Sequence, residues 1–341
     1  MIEIKNITKI FDAGTVNETK AIDNVSLTLN EGDFITVIGS NGAGKSTLLN
    51  IIAGSIEADE GFILLNGTDV SSLPEHRRAP YFGHVFQDPM KGTATDMTVI
   101  ENLALAKGRG KRRSLFRWSN RKKDKAYYLR LLESLGLGLE NRIYSKVSLL
   151  SGGQRQALTL LMATISQQPS HRAILRDYVR FNNVDKAKAK EEVETSYRES
   201  KAIYEQKRKE ILADTSLSFA EKKVKIEEVY AEFDAVMRKF DVTKPVLLLD
   251  EHTAALDPKT AATVLNITDR IIREQHLTTI MITHNMHDAI RYGNRLIMMS
   301  KGRIVVDISG EEKKKLTIEQ LLDLFSQASQ NDMLSDSAIL G

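Results

Sequence analysis

Residues Gly39, Ser40, Asn41, Gly42, Ala43, Gly44, Lys45, Ser46 and Thr47 constrain this chain more tightly than any other stretch. They fit G-x-x-x-x-G-K-[ST], a loop whose backbone N–H groups cradle phosphate. Such a loop works only between a buried strand and the start of a helix. Its glycines let successive N–H groups turn inward without Cβ clashes, and the helix adds the positive end of its dipole. The flanks agree, because residues 33–38 read as a buried strand and 46–53 as a helix. An α/β chain that binds a nucleoside triphosphate is expected, with Lys45 on the β- and γ-phosphates and the Ser46 hydroxyl on Mg²⁺.

Composition removes several alternatives. The 341 residues contain no cysteine, which excludes disulfides, thiolate metal sites and a cysteine nucleophile. No apolar run approaches the roughly 18 residues of a membrane span. The chain enters a strand-like run at Ile2 without a signal-peptide pattern. A cytoplasmic protein is expected, with any membrane role exercised through a partner. The net charge of +3 decides little, because the charge is unevenly placed.

In order, Ile2/Ile4 and then Ile22, Val25, Leu27 and Leu29 alternate as strands, with Phe11 between them as an aromatic able to stack on adenine or simply to fill a core. Residues 61–67 read as a strand closed by an Asn66-Gly67 turn, and 81–86 as a strand ending at Gln87. A helical pattern starts after Thr98. Residues 107–125 then carry ten Lys/Arg against one acid, either a solvated loop or a contact for anionic lipid or, on charge alone, for nucleic acid. A helix from Tyr127 to Leu135 ends at Gly136. Ser151-Gly152-Gly153-Gln154 precedes a helix expected from Arg155 to about Ser166, a second backbone anion site. Residues 244–251 form an apolar run ending in Asp250 and Glu251, as a central parallel strand does, with its acids at the edge where α/β sheets place ligands. Residues 278–284 repeat this with His284 at the tip. A hairpin is expected over 295–308, then an amphipathic helix over 316–325 and a loosely ordered tail after Gln330.

Together these motifs resemble the ATP-binding subunit of an ABC transporter over nearly the whole chain except residues 170–243. Gly39 to Thr47 match the family's Walker A loop, Leu150 to Gln154 its signature, Val246 to Asp250 its Walker B strand, and Gln87, Asp257 and His284 lie in the Q-loop, D-loop and switch. The resemblance implies a P-loop NTPase fold with a RecA-like core and antiparallel β subdomain (1–90 and 244–310). It also implies a helical subdomain (91–169) and a C-terminal helix and tail (311–341). It implies ATP and Mg²⁺ as cofactors, Glu251 as catalytic base, His284 on the γ-phosphate, and Asp250, Ser46 and Gln87 around the metal. Phe11 would stack on adenine. Ser151, Gly152, Gly153, Gln154 and Asp257 would serve the ATP of a second subunit, so a homodimer on ATP binding follows. The implied partners are integral membrane permease subunits and an extracytoplasmic substrate-binding protein at the cytoplasmic face of the membrane, with no nucleic acid.

Two departures bear on this. His252 stands where the family commonly has Pro, which makes its neighbourhood a candidate pH-sensitive point. The acidic-Arg-Gly stretch that exporters often carry before the signature is missing from 144–148. That favours an importer, and 251–257 with 160–164 resemble tryptophan/tyrosine or related amino-acid uptake ATPases. An exporter subunit and a soluble chromosome-maintenance ATPase are the alternatives. The latter carries its coiled coil before the signature, not after it.

The segment 170–243 lengthens a connection that is usually a few residues. From 183 to 240 it has no Gly or Pro and carries 13 basic and 13 acidic residues. Ile226, Val229, Phe233, Val236 and Phe240 keep a heptad seam, answered by Val193, Tyr197, Tyr204 and Ile211. Ser218 and Glu221 form a capping box, so an antiparallel hairpin turning at 214–217 is expected. It is a surface appendage or a docking arm. Replacing 170–243 by a short Gly/Ser linker separates the two through ATPase and transport.

Overall fold

Strand β3 (Phe34–Gly39) is buried along nearly its whole length, and its neighbours explain why an uninterrupted apolar run was needed there. In the computed structural model, which describes residues 1–109, 122–165, 185–238 and 246–327, a six-stranded sheet has the order β10-β9-β3-β8-β7-β6. Its members are β6 (Phe82–Val85), β7 (Val246–Asp250), β8 (Thr279–Ile282), β9 (Arg295–Ser300) and β10 (Arg303–Ser309). All pairs are parallel except β9 with β10. Parallel strands covered on both faces are apolar throughout, as Val246, Leu247, Leu248 and Leu249 show, each 3 % exposed or less.

A second sheet, ordered β2-β1-β4-β5, is built from β1 (Ile2–Phe11), β2 (Thr19–Leu29), β4 (Glu60–Leu65) and the short β5 (Thr68–Asp69). Asn66 and Gly67 both take positive φ, the geometry of a tight Asn-Gly hairpin turn. The β1–β2 pair of this sheet is antiparallel. Phe11 does not lie between β1 and β2 but is the last residue of β1, paired with Thr19.

Helix α1 (Lys45–Ala53) starts at Gly44, whose φ of 93° few other residues tolerate. At its other end the buried Arg78 guanidinium, from α2 (Glu75–Arg78), donates to the carbonyls of Ile51, Ile52, Ser71 and Leu73. A fixed cation thus satisfies the helix C-terminus. Helices α3 (Val99–Lys107), α4 (Lys122–Leu135) and α5 (Gly152–Thr164) share one apolar core with the sheet, including Val85, Leu103, Leu132, Leu158, Leu249 and Met281.

Part of the basic run lies within the described residues. Lys122 to Lys125 open α4, earlier than the apolar periodicity suggests. Lys107 sits over the Tyr127 ring and Lys125 over Tyr144. Lys107 and Lys125 are therefore engaged within the chain; the middle of the run lies outside the described residues.

The inserted segment is a hairpin of α6 (Lys186–Ala213) and α7 (Phe219–Arg238), and belongs to a compact unit of its own. Asp185 caps α6, and Ser218 and Glu221 form the reciprocal cap of α7. The seam is aromatic: Phe233 meets Tyr197, Tyr204 and Tyr230 at ring separations of 5.9, 5.9 and 6.1 Å. Lys207 pairs across the seam with Glu232. Phe240 and the entry and exit of the hairpin lie outside the described residues.

Three further helices follow strands of the large sheet: α8 (Pro258–Gln275) follows β7, α9 (Met286–Arg291) follows β8, and α10 (Gly310–Lys315) follows β10. The last was not evident from the pattern. Residues 318–327 are helical, starting at a Thr317–Gln320 cap rather than at Leu316. The expected loose tail after Gln330 lies outside the described residues.

Candidate nucleotide site

Sheet register sets the site. Val37 of β3 and Asp250 of β7 both lie beside Ile282 of β8, and Val85 of β6 lies beside Leu249. The residues just past these strands therefore emerge at one edge: the loop after Gly39, His284, Glu251 and Gln87. A parallel sheet gathers into one row a loop and three residues that are scattered over the sequence.

The loop holds its shape by contacts only glycine allows. A Cβ on Gly39 would lie 2.2 Å from the Met299 carbonyl oxygen, and one on Gly44 2.3 Å from that of Ala21. Lys45 is 6 % exposed and its Nζ donates to the Gly39 and Ser40 carbonyls at 2.8 and 2.9 Å. Burial pulls its pKa down, against the carboxylates of Glu251 and Asp250. Ser46 Oγ donates to Asp250 Oδ1 at 3.0 Å, joining the two residues expected at the metal. Burial pushes the Asp250 carboxyl up, which the Ser46 bond and Lys45 partly offset. Burial thus disfavours the charged forms of both Lys45 and Asp250.

Glu251 takes a φ of 45°, unusual for a residue with a side chain. Its N–H bonds to the Ile282 carbonyl and its own carbonyl accepts from Ala254. That turn carries Glu251 Oε2 to 2.5 Å from His284 Nε2. His284 itself precedes Asn285, whose side chain caps α9.

The signature residues belong to another element, the start of α5. Helix α5 begins at Gly152, three residues earlier than expected, because Ser151 caps it and pairs reciprocally with Gln154. Gln154 also donates to the Leu137 carbonyl, so its side chain is committed to the local fold. The pattern Ser-x-x-Gln is a capping box, and that signal was available in the sequence. Ser151 and Gly152 are exposed. Asp257 caps α8 by accepting from the Thr260 N–H. What sequence reading missed is the packing between these two motifs. A Cβ on Gly153 would lie 2.2 Å from Thr260 Cγ2, and one on Gly152 3.2 Å from Leu256 Cδ2. No local spacing announces such a contact. Gln87 is exposed and placed by register alone, and Phe11 is 36 % exposed at the end of β1.

A model of the family described as ABC transporter matches residues 22–171. A tyrosine transport ATP-binding protein of Clostridioides difficile is 35 % identical over 328 residues, covering 96 % of this chain and all of the relative. This chain belongs to the ABC transporter ATP-binding family. It is an ATPase subunit of that family. The lipoprotein-releasing system ATP-binding protein LolD of Alcanivorax borkumensis is 33 % identical over 49 % of this chain and 70 % of its own. In fold, the chain resembles a dimeric post-hydrolysis ATP-binding cassette bound to ADP and Pi, at a TM-score of 0.58 and 22 % identity, over 91 % of this chain and 98 % of that one.

His252 is no pH sensor near neutrality. It is 2 % exposed, and burial pulls its pKa down to about 4. The Thr268 hydroxyl gives its one hydrogen to the Val264 carbonyl, so His252 Nε2–H donates to Thr268 Oγ1 at 3.2 Å. Between pH 4 and 6.5 the unfolded chain binds more protons here than the folded one, so stability rises with pH across that window. It is fully present above pH 6.5 and falls by about 3 kcal/mol as pH approaches 4. Melting curves from pH 6.5 to 4.5 should therefore flatten in His252→Leu; an unchanged slope would show that the histidine does not carry the effect.

Proposed function

We propose that this chain powers the uptake of an amino acid, tyrosine first among the candidates, through integral membrane permease subunits served by an extracytoplasmic substrate-binding protein. It works at the cytoplasmic face of the membrane as half of a homodimer closed by ATP, without a nucleic-acid partner. The observation that carries the ATPase part is the convergence of Lys45, Ser46, Asp250, Glu251 and His284 at one sheet edge. The substrate rests on likeness to the tyrosine transport protein. Among the described residues no helix is long and apolar enough to cross a membrane, in keeping with a separate permease.

The site suits a ligand that brings both signs of charge. Phosphate oxygens would take over the Lys45 donors now turned onto its own loop. Ser46 Oγ and Asp250 Oδ1, 3.0 Å apart, are hard oxygen donors of the kind Mg²⁺ uses beside phosphate. They would hold it with Gln87, and the ion would neutralise phosphate charge. Glu251 would orient and deprotonate the attacking water, while His284 would donate to the γ-phosphate. Ser40, Asn41, Gly42, Ala43, Gly44 and Thr47 complete the phosphate cradle, and Phe11 stacks on the base. Ser151 and Gly153 would reach the γ-phosphate held by the partner, with Asp257 close by.

Deleting the gene in its host should abolish uptake of labelled tyrosine, with rescue by the wild-type chain, which should co-isolate from membranes with a permease. Loss of efflux with intact uptake would make it an exporter subunit, and co-isolation of DNA would overturn the transport reading.

A further inference from the structure

Asp59, on the connection between α1 and β4, lies 49 residues from Ile10 in sequence but holds the end of β1 in three ways. Its Oδ2 accepts from the Ile10 N–H at 2.6 Å, its Oδ1 accepts from Lys9 Nζ at 2.8 Å, and its own N–H donates to the Thr8 carbonyl at 2.9 Å. These bonds fall where the β1–β2 pairing is irregular, between Ile7 and Ile10. The ladder resumes at Ile10 with Lys20 and Phe11 with Thr19 only after these shifts, and the Asp59 bonds brace the strand end from the other side of the irregularity. The next residue is Phe11. Lys9 Nζ stands 5.6 Å from the centre of the Phe11 ring, within reach of a cation–π attraction. The Ile10 N–H, and then Lys9, hold the Asp59 carboxyl below its usual pKa, so it is ionised at neutral pH.

We infer that Asp59 and Lys9 are positioning residues for nucleobase recognition, clamping the Phe11 ring to the segment that leaves the phosphate-binding helix. The inference rests on the reading of Phe11 as the ring that stacks on the base. A base gains from stacking only against a ring already in place; otherwise the ligand must also order a side chain at a strand end. Asp59 supplies that order through the backbone, and Lys9 through one face of the ring, leaving the other face for the base. Because Asp59 follows α1 by a few residues, the base-binding and phosphate-binding parts of the site are tied together by one carboxylate.

The test is a double-mutant cycle on the full chain, read as KM for ATP, kcat, and inhibition by inorganic triphosphate, which has no base. Phe11→Ala is expected to raise KM about tenfold and Asp59→Ala about fivefold, with kcat within twofold. The double variant should be no worse than Phe11→Ala alone. Inhibition by inorganic triphosphate should be unchanged throughout. Lys9→Met, which leaves both backbone bonds of Asp59 in place, should raise KM less than Asp59→Ala does. It serves if the latter fails to fold. An unchanged KM in Phe11→Ala would overturn the stacking reading and the inference with it. A raised KM in Phe11→Ala with additive or absent effects of both Asp59→Ala and Lys9→Met would overturn the inference alone. Weakened inhibition by inorganic triphosphate in the Asp59 or Lys9 variants would reduce them to structural residues.

Discussion

Glu251→Gln is expected to slow ATP turnover about a thousandfold while leaving ATP binding within a few-fold. The amide keeps the size and shape of the side chain, so the turn set by the Ile282 and Ala254 bonds survives. It can still pair with His284, 2.5 Å away in the wild type. What it loses is a carboxylate able to take a proton from water, a contribution of about 10² to 10⁴ in rate for a positioned base. The effect should therefore appear in kcat and spare the ATP affinity. Turnover near the wild-type rate would remove Glu251 from the base position.

Lys45→Ala should fail one step earlier, with ATP affinity lower by about a hundredfold or more. The lysine offers charge-assisted hydrogen bonds, each worth about 1.5–3 kcal/mol, and two of them correspond to at least two decades in Kd. The fold should hold, because Ser40 is exposed and Gly39 half-buried, so water can satisfy the two released carbonyls. Titration with a fluorescent ATP analogue beside a melting curve checks both halves. Wild-type affinity would mean the loop binds phosphate through its backbone alone.

Most of the site could be read from the sequence, for a physical reason. The phosphate loop, the Asp250–Glu251 strand end and the His284 strand end are each local motifs with a strong pattern. A parallel sheet then brings strand ends together without further instruction. The helical hairpin was equally readable, because a Gly-free, Pro-free segment with a heptad seam and a capping box has few other ways to bury its apolar residues. Its seam proved more aromatic than expected, since Tyr230 joins Tyr204 and Phe233. Contacts between motifs were not readable. Gly153 against Thr260, Gly152 against Leu256 and Asp59 against Ile10 join residues with no shared spacing, and only the packed chain shows them. Helix starts shifted for a simpler reason: a charged residue such as Lys122 and a side-chain-less one such as Gly152 add nothing to an apolar periodicity yet occupy first turns.

These contacts bear on the dimer. Gly153 and Thr260 pack within one chain, so the signature loop and the Asp257 turn beyond Glu251 sit as one piece. Meanwhile Ser151 and Gly152 face outward. In the homodimer proposed above, this exposed face would complete the nucleotide site of the partner subunit.

The most direct measurement is the mass of Glu251→Gln in solution by light scattering, with and without saturating ATP. Two chains with ATP and one without are expected, and adding Ser151→Arg to the same chain should return it to one chain while ATP stays bound. A single-chain mass for Glu251→Gln with ATP bound would contradict the shared site.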